Sequence, residues 1–250
     1  MKVIINIATH GNERIGKRVV KELEKNSLDK KLIIQVANEK AFKLGKRFID
    51  QDLNRSFPGK KNGNYEQRIA YKILPKIKSA DVVVDIHSTT SESKDALIVT
   101  KLNEETLNCI KAIQPKNVLI MKSTENNALI SMAKIGLAFE YGKDDDKITI
   151  RKTTMGIKRL LNYLKIIDYK FHSKNKKINF FEIIDTVPRP KGYKLIKKVK
   201  NYKIIKRNNN YAINKNKKLI AEDDFYPILF GEKNYKDIFG FKGKKYSVKS

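Results

Sequence analysis

A mostly parallel, doubly wound α/β sheet followed by a small β-rich C-terminal region is the fold class that three observations predict. Short apolar runs of strand length alternate with stretches whose apolar residues recur at helical spacing, the pattern of βα units. One run, Val82-Val83-Val84-Asp85-Ile86-His87, is almost continuous and β-branched, as in a strand covered on both faces. After about residue 170 the texture changes to short β-rich pieces separated by Lys/Asn turns.

Residues 1–8 read as a first strand, and Ile15, Val19, Val20 and Leu23 place a helix over roughly 13–25. Leu32 to Ala37 is of strand length. Residues 43–63 lack periodicity and hold Asp52-Leu53-Asn54-Arg55-Ser56-Phe57-Pro58-Gly59, a long polar loop of the kind that often carries function. Ile69, Ile73 and Ile77 give helical spacing from Tyr65 to Ile77, ahead of the Val82 to His87 strand. Ala96 to Thr100 and Val118 to Met121 are two short strand candidates, Ile135 to Glu140 is a further apolar run ending in an acid, and Arg151 to Ile167 is an amphipathic helix. Beyond Pro188 and Pro190, Tyr193 to Ile196, Tyr202 to Ile205 and Tyr211 to Ile213 read as short strands, with hairpin turns over 207–218.

The single cysteine, Cys109, excludes an intramolecular disulfide and a cysteine-cluster metal site. The first residues offer only Lys2 and a short apolar run, too little for a signal peptide, and no apolar stretch approaches the roughly 20 residues of a membrane helix. A cytoplasmic location is expected. Lys and Arg outnumber Asp and Glu by 54 to 27, a formal net charge of +27. Such an excess suits nucleic acid or an acidic membrane surface. The lysines, however, spread through the whole chain among abundant Asn and Ile. No zinc-finger spacing, heptad-bearing basic region or RNA-binding aromatic motif accompanies them, so specific nucleic-acid binding is not expected.

The residues suited to chemistry begin with His10-Gly11-Asn12-Glu13, at the end of the first strand. A side chain at the carboxyl end of a parallel strand points into the crevice where open α/β sheets bind ligands. His87 ends a second such strand, whereas His172 stands in a polar stretch and reads as a surface residue. Two strand-end imidazoles plus a carboxylate match the donor set of a catalytic zinc site. Asp85, two residues before His87 and on the same strand face, is positioned to orient that imidazole, or else to bond neighbouring backbone. Glu140 closes an apolar run where a charge is costly unless it is used, either in a salt bridge or as a general base.

Together these islands carry a resemblance. His10-Gly11-Asn12-Glu13, Arg47 with Asp52-Leu53-Asn54-Arg55, Asp85-Ile86-His87-Ser88-Thr89, and Phe139-Glu140-Tyr141-Gly142 resemble the succinylglutamate desuccinylase/aspartoacylase family. Tyr226-Pro227, Glu232 and Tyr235 resemble its closing motif. The resemblance implies a zinc amidohydrolase with the zinc-carboxypeptidase type of sheet. It implies that His10, Glu13 and His87 ligate one zinc ion per chain, that Glu140 activates the water, and that Arg47 polarises the scissile carbonyl. Asn54 and Arg55 would hold the substrate's α-carboxylate, and Tyr235 would help close over it.

The implied division is a zinc-dependent catalytic α/β domain over 1–170 and a β-rich domain over 171–250 that contributes to the substrate site. Aspartoacylases carry an arginine ten positions before the catalytic Glu for the substrate's side-chain carboxylate; here that position is Ile130, and the tyrosine four positions earlier is Asn126. The expected activity is hydrolysis of the amide of an N-acyl amino acid or similar small carboxylate. A carboxypeptidase-like peptidase on a small peptide and a basic nucleic-acid-binding protein without catalysis are the alternatives. Cobalt or manganese also suits such a donor set.

Overall fold

The computed structural model describes residues 1–24, 32–90, 95–122, 127–171, 177–232 and 235–248. His172 and Asn126 lie outside them. In the first part of the chain the elements are β1 (Val3–Ile7), α1 (Ile15–Glu24), β2 (Leu32–Val36), α2 (Glu39–Leu44), α3 (Tyr65–Lys78) and β3 (Val82–His87). Next come β4 (Ala96–Val99), α4 (Glu104–Ile113), β5 (Asn117–Ile120), β6 (Ile135–Glu140) and α5 (Lys147–Tyr163). The remainder is β7 (Asn179–Pro188), β8 (Lys194–Leu195), β9 (Asn210–Asn214), β10 (Lys217–Ile220), β11 (Tyr226–Ile228) and β12 (Ile238–Lys245).

Nine strands share one sheet in the order β11-β12-β7-β5-β4-β6-β3-β1-β2. The run β2-β1-β3-β6 is parallel throughout. β4 joins β6 antiparallel, and β5 and β7 then follow β4 in parallel. The antiparallel pair β11-β12 finishes the edge against β7, so the large sheet runs across residue 170. β10-β9-β8 form a separate three-stranded sheet. Among the described residues no helix is long and apolar enough to cross a membrane.

Successive strand residues serve opposite faces, which is why the central runs are apolar at every position. Ile5, Ile7, Val82, Val84 and Leu137 pack on one face with Ile15, Ile110 and Ile157 from α1, α4 and α5. Ile4, Val83 and Ala138 pack on the other with Ile77 of α3 and with Leu53 and Phe57 of the polar loop. Leu119, Phe181 and Ile228 extend the core toward the β11 edge, and Phe225, Phe230 and Phe239 fill the space beside the small sheet.

Several elements differ from the sequence reading. α5 starts at Lys147 rather than Arg151, because the Asp146 side chain caps it by accepting from the Ile148 amide. Glu13 precedes α1 instead of lying in its first turn. Tyr202 to Ile205 is not a strand; only Ile205 makes a bridge, to Phe225.

Candidate active site

Parallel pairing sets the site. β3 lies between β1 and β6, and its last residue, His87, is paired in register with Glu140, the last residue of β6. The chain leaves β1 through Ala8, whose φ of 56° turns it sharply toward His10. Gly11 then sits where a Cβ would come 2.2 Å from the Ala41 carbonyl carbon, so only glycine lets α2 approach this turn. The Gly11 amide donates to the Arg47 carbonyl at 3.0 Å, and the Glu13 amide donates to the His10 carbonyl at 3.1 Å.

Those constraints bring His10, Glu13 and His87 together, with one potential ligand atom from each within 4.8 Å of the others. His10 Nδ1 is 2.8 Å from Glu13 Oε1, and His87 Nδ1 is 3.0 Å from Glu13 Oε2. The outer nitrogens meet acids too: His10 Nε2 is 3.1 Å from Asp52 Oδ1, and His87 Nε2 is 2.8 Å from Asp85 Oδ2. Asp85 is itself fixed by a hydrogen bond from the Thr9 hydroxyl at 2.7 Å. Burial alone would raise the Glu13 carboxyl, but His10 and His87 outweigh it and hold it far below the carboxylate range. Burial likewise opposes charge on both imidazoles, yet Glu13 with Asp52 at His10, and Asp85 with Glu13 at His87, raise them.

The donor set fits a divalent cation. Nδ1 of each imidazole meets a different oxygen of Glu13, while Asp52 and Asp85 stand against the outer nitrogens. Carboxylate-oriented imidazoles with a glutamate are a zinc-type set.

The polar loop supplies the cations. Arg47 Nη2 lies 3.0 Å from Asp52 Oδ2 and 2.9 Å from His10 Nε2, with Nη1 3.8 Å from Glu13 Oε1. Asn54 Nδ2 is 3.4 Å from His87 Nε2, while its Oδ1 accepts from the Leu129 amide at 3.0 Å. Arg55 is exposed and donates to the Asn54 carbonyl at 2.8 Å. The loop is pinned by Glu66, fully buried at the start of α3. Its carboxylate accepts from the amides of Ile49 (2.7 Å), Asp50 (2.9 Å) and Gln51 (3.2 Å), and from Asn38 Nδ2 (3.0 Å). Sequence reasoning missed Glu66, because an acid in a first helical turn ordinarily only complements the helix dipole. It also gave Asp52 no role of its own.

These groups open into a cavity of about 110 Å³ that also receives Glu140 and Tyr235. Every sequence-derived site residue except Glu13 lines it, and Glu13 lies directly behind His10. Glu140 Oε2 is buried without a hydrogen-bond partner among the described residues. Burial pushes the Glu140 carboxyl up to about 7, with Glu13 adding to the rise and His87 pulling against it. Burial, and then the Glu140 charge, raise the Tyr235 hydroxyl, whose ring stands edge-on to Phe241 at 5.6 Å. Ile98, Met121, Ala128, Ile130, Leu229 and Phe241 give the cavity an apolar part of its lining.

Residues 1–167 match a sequence model of the succinylglutamate desuccinylase/aspartoacylase catalytic domain. A probable aspartoacylase of Acaryochloris marina is 27% identical over 219 residues, covering 76% of this chain and 73% of the relative. An N-acyl-aromatic-L-amino acid amidohydrolase (carboxylate-forming) of Xenopus tropicalis is 27% identical over 189 residues, 64% of this chain and 60% of its own length. The fold is shared with murine aminoacylase 3, at a TM-score of 0.82 and 17% identity, over 98% of this chain and 95% of that one.

Proposed function

We propose, on the premise that the chain belongs to the succinylglutamate desuccinylase/aspartoacylase family, that it hydrolyses the amide bond of an N-acyl amino acid whose variable group is apolar. One zinc ion held by His10, Glu13 and His87 serves the reaction. The observation that carries this reading is that one cavity is lined by His10, His87, an unpartnered acid, two arginines and several apolar side chains. Zinc in such a site lowers the pKa of a water toward neutrality and polarises a carbonyl oxygen.

The chain's own residues do the rest. Glu140, whose buried Oε2 has no hydrogen-bond partner among the described residues, takes the proton of the attacking water and passes it to the leaving nitrogen. Arg47, beside the cluster, offers its guanidinium to the developing oxyanion. Arg55 pairs the unchanging α-carboxylate, with Asn54 beside it, since a guanidinium fork matches carboxylate geometry. Tyr235 packs over the bound substrate. The variable group meets Ile130 and its apolar neighbours, where an aspartate side chain would lose its water without gaining a cation.

A panel of N-acetyl amino acids tests the reading. kcat/KM for the phenylalanine and leucine derivatives is expected to exceed that for the aspartate derivative by at least roughly tenfold, the worth of one poorly matched group. The reverse order overturns the assigned specificity, and no turnover on any member overturns the activity. Metal analysis of protein purified without added zinc is expected to find about one ion per chain, lost in His87→Ala. Full metal content in that variant would remove His87 from the ligand set.

Arg55→Ala is expected mainly to raise KM, with a smaller fall in kcat to the extent that the anchor also positions the amide. Arg55→Lys should recover only part, since an ammonium makes no paired contact. Unchanged kinetics in both variants would make Arg55 a solvated loop residue.

A further inference from the structure

Helix α1 begins without a cap from its own neighbourhood. The first amides of a helix have no intrahelical acceptor, and a side chain just before the helix ordinarily supplies one. Here the residue before α1 is Arg14, which has no acceptor atom and holds its guanidinium 4.1 Å from the centre of the Phe42 ring. Glu13, one position earlier, has both carboxylate oxygens against His10 and His87. The first turn of α1 contains no acid.

The acceptor comes from far along the chain. Asp144 Oδ1 accepts from the Arg14 amide at 2.5 Å and from the Ile15 amide at 2.7 Å, across 130 and 129 residues. The Asp144 carbonyl also accepts from Arg18 Nη1 at 3.1 Å. Asp144 stands shortly after Glu140, in the loop between β6 and α5. In the same loop the Gly142 carbonyl accepts from the Thr89 amide at 2.8 Å, a tie to the segment that follows His87. One short loop thus joins the chain just past Glu13, His87 and Glu140.

These ties converge on Glu13. Its own amide donates to the His10 carbonyl at 3.1 Å, and the next two amides donate to Asp144, so the peptide on each side of it is held. The Ser88 amide donates to Glu13 Oε2 at 3.1 Å, which makes Ser88 a reporter of where that carboxylate lies.

We propose that Asp144 is a positioning residue: by capping α1 from the β6 loop, it sets the Glu13 carboxylate against both imidazoles and fixes it relative to Glu140. Its effect on zinc rests on the reading of Glu13 as a ligand, whereas the placement belongs to the metal-free chain. The two neighbouring acids serve as comparisons. Asp145 is exposed, and Asp146 caps α5 by accepting from the Ile148 amide at 2.9 Å.

Amide hydrogen exchange of the metal-free full chain, followed by NMR, and zinc affinity measured against a competing chelator test the proposal. Asp144→Ala is expected to speed exchange at Arg14, Ile15 and Ser88 by about tenfold or more, the effect of losing hydrogen bonds to a charged acceptor and the order they impose. Asp146→Ala also loses a helix cap but should leave Ser88 as it is. Zinc affinity should fall by about tenfold to 100-fold in Asp144→Ala, the usual result of removing a group that orients a ligand, and hardly change in Asp145→Asn or Asp146→Ala. Asp144→Asn keeps an oxygen acceptor without the charge and should restore most of both properties. Ser88 exchange unchanged in Asp144→Ala would leave Asp144 an ordinary helix cap and overturn the proposal. So would a loss that Asp144→Asn does not recover, since charge rather than position would then be the cause. Faster Ser88 exchange with unaltered zinc affinity, or no zinc uptake by the unaltered chain, would count against Glu13 as a ligand and leave the role of Asp144 standing.

Discussion

Replacing Glu140 with glutamine is expected to lower kcat by roughly 100-fold to 10,000-fold, the usual worth of a positioned general base, while zinc content and KM stay near those of the unaltered chain. The amide has nearly the same volume but cannot take a proton from water. Glu140 Oε2 has no hydrogen-bond partner among the described residues, so the substitution breaks no hydrogen bond at that oxygen. That separates this variant from one at His10 or His87, where metal and activity would be lost together. Stability offers a second readout. Burial raises the Glu140 carboxyl from 4.5 to about 7, so the metal-free fold loses stability as pH climbs through that interval and the carboxylate forms. Glu140→Gln removes this loss, and its metal-free melting temperature at pH 8 is expected to match or exceed that of the unaltered chain. An acid kept for structure would behave in the opposite way: wild-type kcat with a lower melting temperature.

The parts of the site legible in the sequence are those imposed by strand ends. His10, His87 and Glu140 each follow an apolar run, and parallel register alone carries them to one sheet edge. Glu13 was readable because it lies three residues from His10, though the turn that places it comes before the helix. What escaped depends on partners distant in sequence. Asp52 meets His10 and Glu66 meets residues 49–51 only after the loop has folded back, and no periodicity announces either. In the fold, α4 went unread because ten residues with three leading polar positions give a weak period, although Asn103 caps it by accepting from the Thr106 amide. β12 went unread because register shifts at Ile238/Gly240 and Lys242/Gly243 interrupt the alternation that marks a strand. Its place beside β7 was beyond any local signal.

Glu66→Ala is expected to be the most damaging change outside the reacting groups. Four donors converge on that buried carboxylate: three consecutive backbone amides of residues 49–51 and the Asn38 side chain. Asn38 also caps α2, so losing its partner loosens the helix that packs against Gly11. Hydrogen bonds to a charged acceptor are worth about 1.5–3 kcal/mol each, and the amides near the surface can regain water. A net cost of about 3–5 kcal/mol is therefore expected, which in a chain of this size lowers Tm by very roughly 6–20 °C. The functional effect should be larger than the thermal one suggests. Residues 47–55 carry Arg47, Asp52, Asn54 and Arg55, and a displacement of about 1 Å in positioning groups can cost 100-fold in rate. His10 and His87 are held by the sheet instead, so zinc content should fall less than kcat/KM. Glu66→Gln keeps one acceptor oxygen but turns an NH2 toward backbone donors, and should lie between the two. If Glu66→Ala melts and turns over like the unaltered chain, the loop is held by something other than this carboxylate.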